Sequence, residues 1–182
     1  AILNHISEVY RKLGHYKEAL AHAQKALEQL KALQIDPHPD IVVCYQNCAQ
    51  ALDHLRNYPE ALSHYQKALV HSLKIYEEPH PVVASIYHQM GVVLRCMNRF
   101  QEAFAHYRKA LAQRKTLYKV PHLQIATSYT NIGEVLRCVG DSQKALAYYQ
   151  KALEQFLQLY SPEEMLLKTL KTPEKLGGNT TA

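Results

Sequence analysis

Six glycines and eight prolines in 182 residues are too few for a loop-rich all-β chain. No apolar run approaches the roughly 18 residues of a membrane-spanning helix, so membrane insertion is not expected. Charge of one sign is not in large excess: 21 basic against 16 acidic residues give a formal net charge of +5. Nucleic-acid binders carry a stronger, clustered basic excess, so no nucleic-acid ligand is expected. A glycine-rich phosphate loop, a paired-carboxylate signature and any Ser/His/Asp or Cys/His arrangement are also missing. The chain therefore reads as a non-enzyme. Its start, AILNHISEVY, lacks the basic, apolar, small order of a signal peptide and already follows an amphipathic helical pattern. It begins mid-pattern without Met, and is expected to be a piece of a longer protein.

Cysteine is scarce, and its four positions are Cys44, Cys48, Cys96 and Cys138. The repeat pattern described next places Cys96 and Cys138 on equivalent spots of successive units. Packed helices hold such spots about 8–10 Å apart, beyond the ~7 Å limit for a disulfide. Reduced thiols and a cytoplasmic location are expected.

What is present is helix-forming composition and a repeat. Hydrophobic residues make up 47% and charged residues 20%, enough apolar matter to bury a core. Ala, Leu, Gln, Lys and Tyr dominate, which favours helix. The segments YRKLGHYKEALAHAQKAL (10–27), LDHLRNYPEALSHYQKAL (52–69), LRCMNRFQEAFAHYRKAL (94–111) and LRCVGDSQKALAYYQKAL (136–153) align without a gap at a period of 42 residues. Ala19, Ala61, Ala103 and Ala145 share a register, as do Ala26, Ala68, Ala110 and Ala152.

Each unit reads as two helices. In the third, Tyr87, Met90, Gly91 and Leu94 recur at i, i+3, i+4, i+7, one helical face. A break follows at Asn98, with Gly14, Arg56 and Gly140 in the same place; Gly and Asn tolerate the left-handed conformation that ends a helix, and Arg fits it less well. The second helix carries Phe100, Ala103, Phe104, Tyr107, Ala110 and Leu111. Its alanines let the two helices approach while the aromatics fill the space between them. Pro59 sits in a first helical turn, where its missing N–H costs little.

This pattern resembles the tetratricopeptide repeat, whose usual unit has about 34 residues. The longer period, the His-Pro linkers and the Tyr-x-Asn-x-Ala/Gly first helix resemble the kinesin-light-chain type of array. The resemblance covers residues 1–160. It implies an all-α fold: a right-handed α-α superhelix of four helix-turn-helix repeats, about 1–36, 37–78, 79–120 and 121–160. After Tyr160 the register is lost. A short capping helix is expected over 161–172, with Ser161 as cap, Pro162 at its first position and Met165, Leu166, Leu167 and Leu170 shielding the last apolar face. Residues 173–182 are expected to be disordered.

Several side-chain clusters have the composition of chemical sites. Pro37-His38, Pro79-His80 and Pro121-His122 recur at the repeat period, so they read as a turn between units; histidines one repeat apart cannot share a metal with ligands near ~2 Å. Cys44 and Cys48 share a helix side. Cys48 falls in the slot of Ile6, Met90 and Ile132, and both read as small core hydrophobes. His22, His64 and His106 read as a solvated stripe on the outer surface. Tyr65, Tyr107 and Tyr149, and Tyr76, Tyr118 and Tyr160, read as filler between helices. No cofactor and no metal are expected.

Binding is expected on the inner wall formed by the first helices, a groove lined by Asn4, Arg11, Gln46, Asn47, Gln50, His88, Gln89, Arg95, Thr130, Asn131, Glu134 and Arg137. Asn47, Gln89 and Asn131 share one register, and an amide both donates to and accepts from a peptide backbone. Arg11, Arg95 and Arg137 share another, broken by Asp53, and guanidinium forks suit carboxylates. The expected function is a protein-interaction scaffold holding an extended, acidic peptide or partner segment. Self-association, or a regulatory role inside a larger protein, is the alternative, and the pattern leaves the oligomeric state open. Two adjacent asparagines occupy the groove in the kinesin-light-chain pattern. Here Asn4 matches the first, and Asn47 and Asn131 the second, whereas Gln46, His88, Gln89 and Thr130 depart from it.

Overall fold

A computed structural model describes residues 2–34, 37–119 and 121–160. The expected capping helix and tail lie outside the described residues. Within them the chain forms eight α-helices and no strand: α1 (Ile2–Lys12), α2 (Tyr16–Ala32), α3 (Pro39–His54), α4 (Tyr58–Ile75), α5 (Pro81–Cys96), α6 (Phe100–Leu117), α7 (Leu123–Cys138) and α8 (Ser142–Leu159). The helices pair as α1/α2, α3/α4, α5/α6 and α7/α8, and each second helix also packs on the first helix of the next pair. The result is an all-α solenoid.

The turn inside each pair is the same device four times. Gly14, Arg56, Asn98 and Gly140 take φ of 83°, 61°, 58° and 84°. The following amide then reaches back across the helix end: His15 to the Tyr10 carbonyl, Asn57 to Leu52, Arg99 to Leu94 and Asp141 to Leu136, each at 2.9 Å. This satisfies carbonyls that the helix end leaves without partners.

The turn between pairs is built from the His-Pro linkers. His38, His80 and His122 are the N-caps of α3, α5 and α7, and their Nδ1 atoms accept from the backbone N–H of Asp40, Val82 and Gln124 at 3.1, 3.2 and 3.2 Å. Pro39 and Pro81 open α3 and α5, where no N–H is needed. Two of these histidines stack on the tyrosine that ends the preceding helix: Tyr76 on His80 at 3.9 Å and Tyr118 on His122 at 3.8 Å. Those tyrosines are therefore linker pieces, while Tyr65 and Tyr107 are fully buried filler.

One continuous core runs through the pairs. The registered alanines Ala19, Ala61, Ala103 and Ala145 are all buried. Cys44 and Cys48 are buried free thiols, and burial pushes Cys48 up to about 12. It stays a protonated thiol at neutral pH and packs as a small hydrophobe. His22, His64 and His106 depart from expectation: they are partly buried, not a solvated stripe. Their rings lie against Tyr10, Tyr45 and Tyr87 of the partner helix at 5.2, 5.8 and 5.9 Å, with buried Nδ1 atoms. The flank of the second helix turns far enough inward to use the flat ring as packing surface.

Candidate functional site

The first helices line one face of the solenoid, its inner wall in the expected arrangement, and α1 touches α3 directly. Asn47 Nδ2 of α3 lies 3.4 Å from the Asn4 carbonyl of α1, and the Cys44 thiol donates to Asn4 Oδ1 at 3.2 Å. Asn4 is consequently only 5% exposed. It is a strut between units and offers no surface to a ligand, which corrects its expected place in the groove.

The other expected residues remain accessible in whole or in part. Arg11, Gln46, Asn47, Gln50, His88, Gln89, Arg95, Asn131 and Glu134 are partly buried, and Thr130 and Arg137 are exposed. Asn47, Gln89 and Asn131 sit at equivalent points of α3, α5 and α7, with Asn47 Nδ2 already turned towards the Asn4 carbonyl. Thr130 is partly spent, because its hydroxyl donates to the Ala126 carbonyl at 3.1 Å.

The arginine row is less uniform than its register. Arg137 is held by Glu134 through two hydrogen bonds, Nε to Oε2 at 3.2 Å and Nη2 to Oε1 at 2.5 Å. The Tyr149 hydroxyl donates to the same carboxylate at 2.8 Å. These bonds from Arg137 and Tyr149 hold the Glu134 carboxyl down to about 2. Arg95 has no salt bridge among the described residues. Burial opposes its charge, but the neighbouring Tyr107 together with the fields of Cys96 and Glu134 more than offsets that and raises its pKa.

His88 lies in the seam between α5 and α7. Burial, and then the Arg114 guanidinium, pull it down to about 4, so the ring is neutral at physiological pH. Arg114 reaches from α6 and is itself buried; Nη1 donates to Ser128 Oγ at 2.7 Å and to the Gln124 carbonyl at 3.0 Å, and stands 3.5 Å from His88 Nδ1. The equivalent positions hold Leu30, Ser72 and Phe156. An arginine there stitches three helices, which none of the equivalent side chains can do, and no periodic signal announced it.

The sequence reading also missed the floor of the wall. Tyr107 and Tyr149 pass beneath Gly91 and Gly133, where an added Cβ would stand 2.7 and 2.8 Å from the rings. Absence of a side chain on the first helix is what lets the tyrosine of the second reach the inner wall. The glycine-over-tyrosine pairing, read across the two helices, was the available signal.

The described residues contain no group of three or more His, Cys, Asp or Glu able to hold a metal ion, and no helix long and apolar enough to cross a membrane.

The tetratricopeptide-repeat family pattern matches residues 1–78, 54–116 and 82–158. A comparison with curated protein sequences finds no significant match. Among solved structures, BtubC (BKLC) from P. vanneervenii is similar with a TM-score of 0.81 at 21% identity, covering 100% of this chain and 68% of that one. A putative kinesin light chain with nearly identical TPR-like repeats from Podosopora anserina has a TM-score of 0.77 at 16% identity, covering 90% and 79%. A Rap protein complexed with Competence and Sporulation Factor has a TM-score of 0.75 at 18% identity, covering 90% of this chain and 44% of that one. Identities this low establish shared architecture only. The family pattern spans all four helix pairs, and the chain belongs to the tetratricopeptide-repeat family.

Proposed function

We propose that the inner wall of this solenoid binds an extended segment of a protein partner, with a preference for acidic side chains or a free carboxylate. The observation that carries the reading is the partly exposed amide row, Asn47, Gln89 and Asn131, flanked by Arg95, which forms no salt bridge among the described residues. Amides hold a backbone without reading its side chains, and the guanidinium adds the charge preference. The Rap neighbour complexed with Competence and Sporulation Factor supports the reading at the level of architecture: a solenoid of this shape accommodates a bound factor. The modest net charge of +5 favours a protein over a nucleic-acid ligand, and four free cysteines suit a reducing, cytoplasmic setting. Titration of an acidic peptide library against wild type and an Arg95→Ala/Arg137→Ala double variant tests it. The double variant binds at least about tenfold more weakly on this reading, the usual cost of removing a charge-assisted contact. Equal binding by both contradicts it.

A further inference from the structure

The charged row on the inner wall alternates in sign. Arg11, Asp53 and Arg95 occupy equivalent positions, 42 residues apart, near the C-terminal ends of α1, α3 and α5. Each is partly buried, and none forms a salt bridge among the described residues. The fourth position is different in kind, because Glu134 already neutralises Arg137. The row therefore presents plus, minus, plus, and then a closed pair.

The floor beneath the row points the same way. Tyr65 lies within the fields of Arg11 and Asp53, and Tyr107 within those of Asp53 and Arg95. Both rings are fully buried, and both hydroxyls are buried without a protein hydrogen-bond partner. The Nε atoms of Arg11 and Arg95 are buried and unpaired as well; Arg95 Nε and the Tyr107 hydroxyl lie close without a well-formed bond. Burial raises the pKa of the Asp53 carboxyl, opposed only by His54, whose ring is already stacked on Tyr16 at 4.4 Å. Native chains leave few buried polar groups unpaired. Here four of them cluster along one charge row, whereas the corresponding Tyr149 hydroxyl is satisfied by Glu134.

We infer that Arg11, Asp53 and Arg95 form a three-point register for a bipolar segment, with an acidic side chain at each arginine and a basic one at Asp53 between them. The inference rests on the groove reading above and sharpens it from acidic to alternating charge. Neighbouring packed helices lie about 8–10 Å apart. A polyproline II strand has three residues per turn and rises about 3.1 Å per residue, so every third side chain returns to one face about 9 Å further on. The matching ligand is acid-x-x-base-x-x-acid in that conformation. Its backbone carbonyls stay free for the amide row, because polyproline II makes no internal hydrogen bonds.

The test uses two labelled peptides, Glu-Pro-Pro-Lys-Pro-Pro-Glu and Glu-Pro-Pro-Glu-Pro-Pro-Glu, titrated by fluorescence anisotropy at low salt. The proteins are wild type, Asp53→Arg and Arg95→Ala. Asp53→Arg places the residue that the other three units already carry at that register, so the fold tolerates it. Wild type binds the bipolar peptide about tenfold more tightly, and Asp53→Arg reverses the preference. Arg95→Ala weakens both. Equal affinities in wild type, or no reversal in Asp53→Arg, overturn the register while the groove stands on the weakening by Arg95→Ala. Failure of both peptides to bind overturns the register too, and the acidic library then decides the groove reading separately.

Discussion

At the scale of single residues, contacts across a helix pair are set by size. Gly91→Ala puts a methyl group 2.7 Å from the Tyr107 ring, which is fully buried and hemmed in. The second unit shows that the gap can open somewhat, since Ala49 holds the equivalent place over Tyr65. The expected cost is about 1–3 kcal/mol, the range for overpacking a tight core, read as a lower urea midpoint at unchanged slope. His88 makes a second prediction. Its folded pKa, about 4, lies below the ordinary histidine value of 6.5, so the unfolded chain binds the proton first as pH falls. Stability is fully present above that unfolded value and declines as pH drops towards the folded one. His64 and His106 shift in the same direction through burial. Between pH 7 and 5 the His88 contribution alone reaches about 2 kcal/mol, and His88→Gln flattens that part of the profile. A melting temperature constant over this window contradicts the assignment. The sequence named Arg137 and Glu134 as groove residues, but not that they spend their charge on each other. Their spacing of three places them on one helical face, and the Tyr149 hydroxyl below adds a third bond to the Glu134 carboxylate.

At the scale of helices and turns, the period of 42 made most of the architecture legible before any coordinates. Gapless repetition fixed where pairs begin, and Gly14, Asn98 and Gly140 marked the inner turns through their tolerance of positive φ. Arg56 adopts the same φ without that tolerance, because the hydrogen bonds around it are those of its equivalents. The linker histidines were recognised as punctuation, while their chemistry was not. Histidine is outside the usual capping set, and its use here depends on a tyrosine at the preceding helix end to hold the ring. His80→Ala removes both the acceptor for Val82 N–H and the stacking on Tyr76. It lowers stability by about 1 kcal/mol, the typical worth of a cap. His80→Asn restores the acceptor and recovers part of the loss. If the two variants are equally destabilised in urea titrations, the ring stacking and not the cap carries the effect. The flanking histidines of the second helices were misread because residues at the edge of an apolar stripe lie inside or outside by a few degrees of helix rotation, which periodicity does not resolve.

At the scale of the whole molecule, stability belongs to neighbouring units. The ends show it. Ile2 and Val9 of α1 are 75% and 56% exposed, whereas Ile86 and Val93, their equivalents in α5, are 0% exposed beneath the preceding helix pair. Leu146 and Leu153 of α8 are 59% and 52% exposed, while Leu62 and Leu111, at the same registers, are buried. Amide hydrogen exchange therefore runs in a gradient, slowest in α3 to α6 and fastest in α1 and α8. Uniform protection along the array contradicts nearest-neighbour coupling. Function was legible only as a class. A repeat declares that it makes a wall, while the wall's specificity lies in which polar residues remain unspent once neighbours have paired, and that is settled by side-chain contacts between units. The proposed binding surface is the inner wall. Backbone amide chemical-shift mapping of the labelled chain, with an acidic proline-rich peptide added, tests it most directly. Binding at the inner wall shifts Asn47, Gln89, Arg95 and Asn131 on α3, α5 and α7 and leaves the outer faces of α4 and α6 unmoved; shifts confined to those outer faces rule it out.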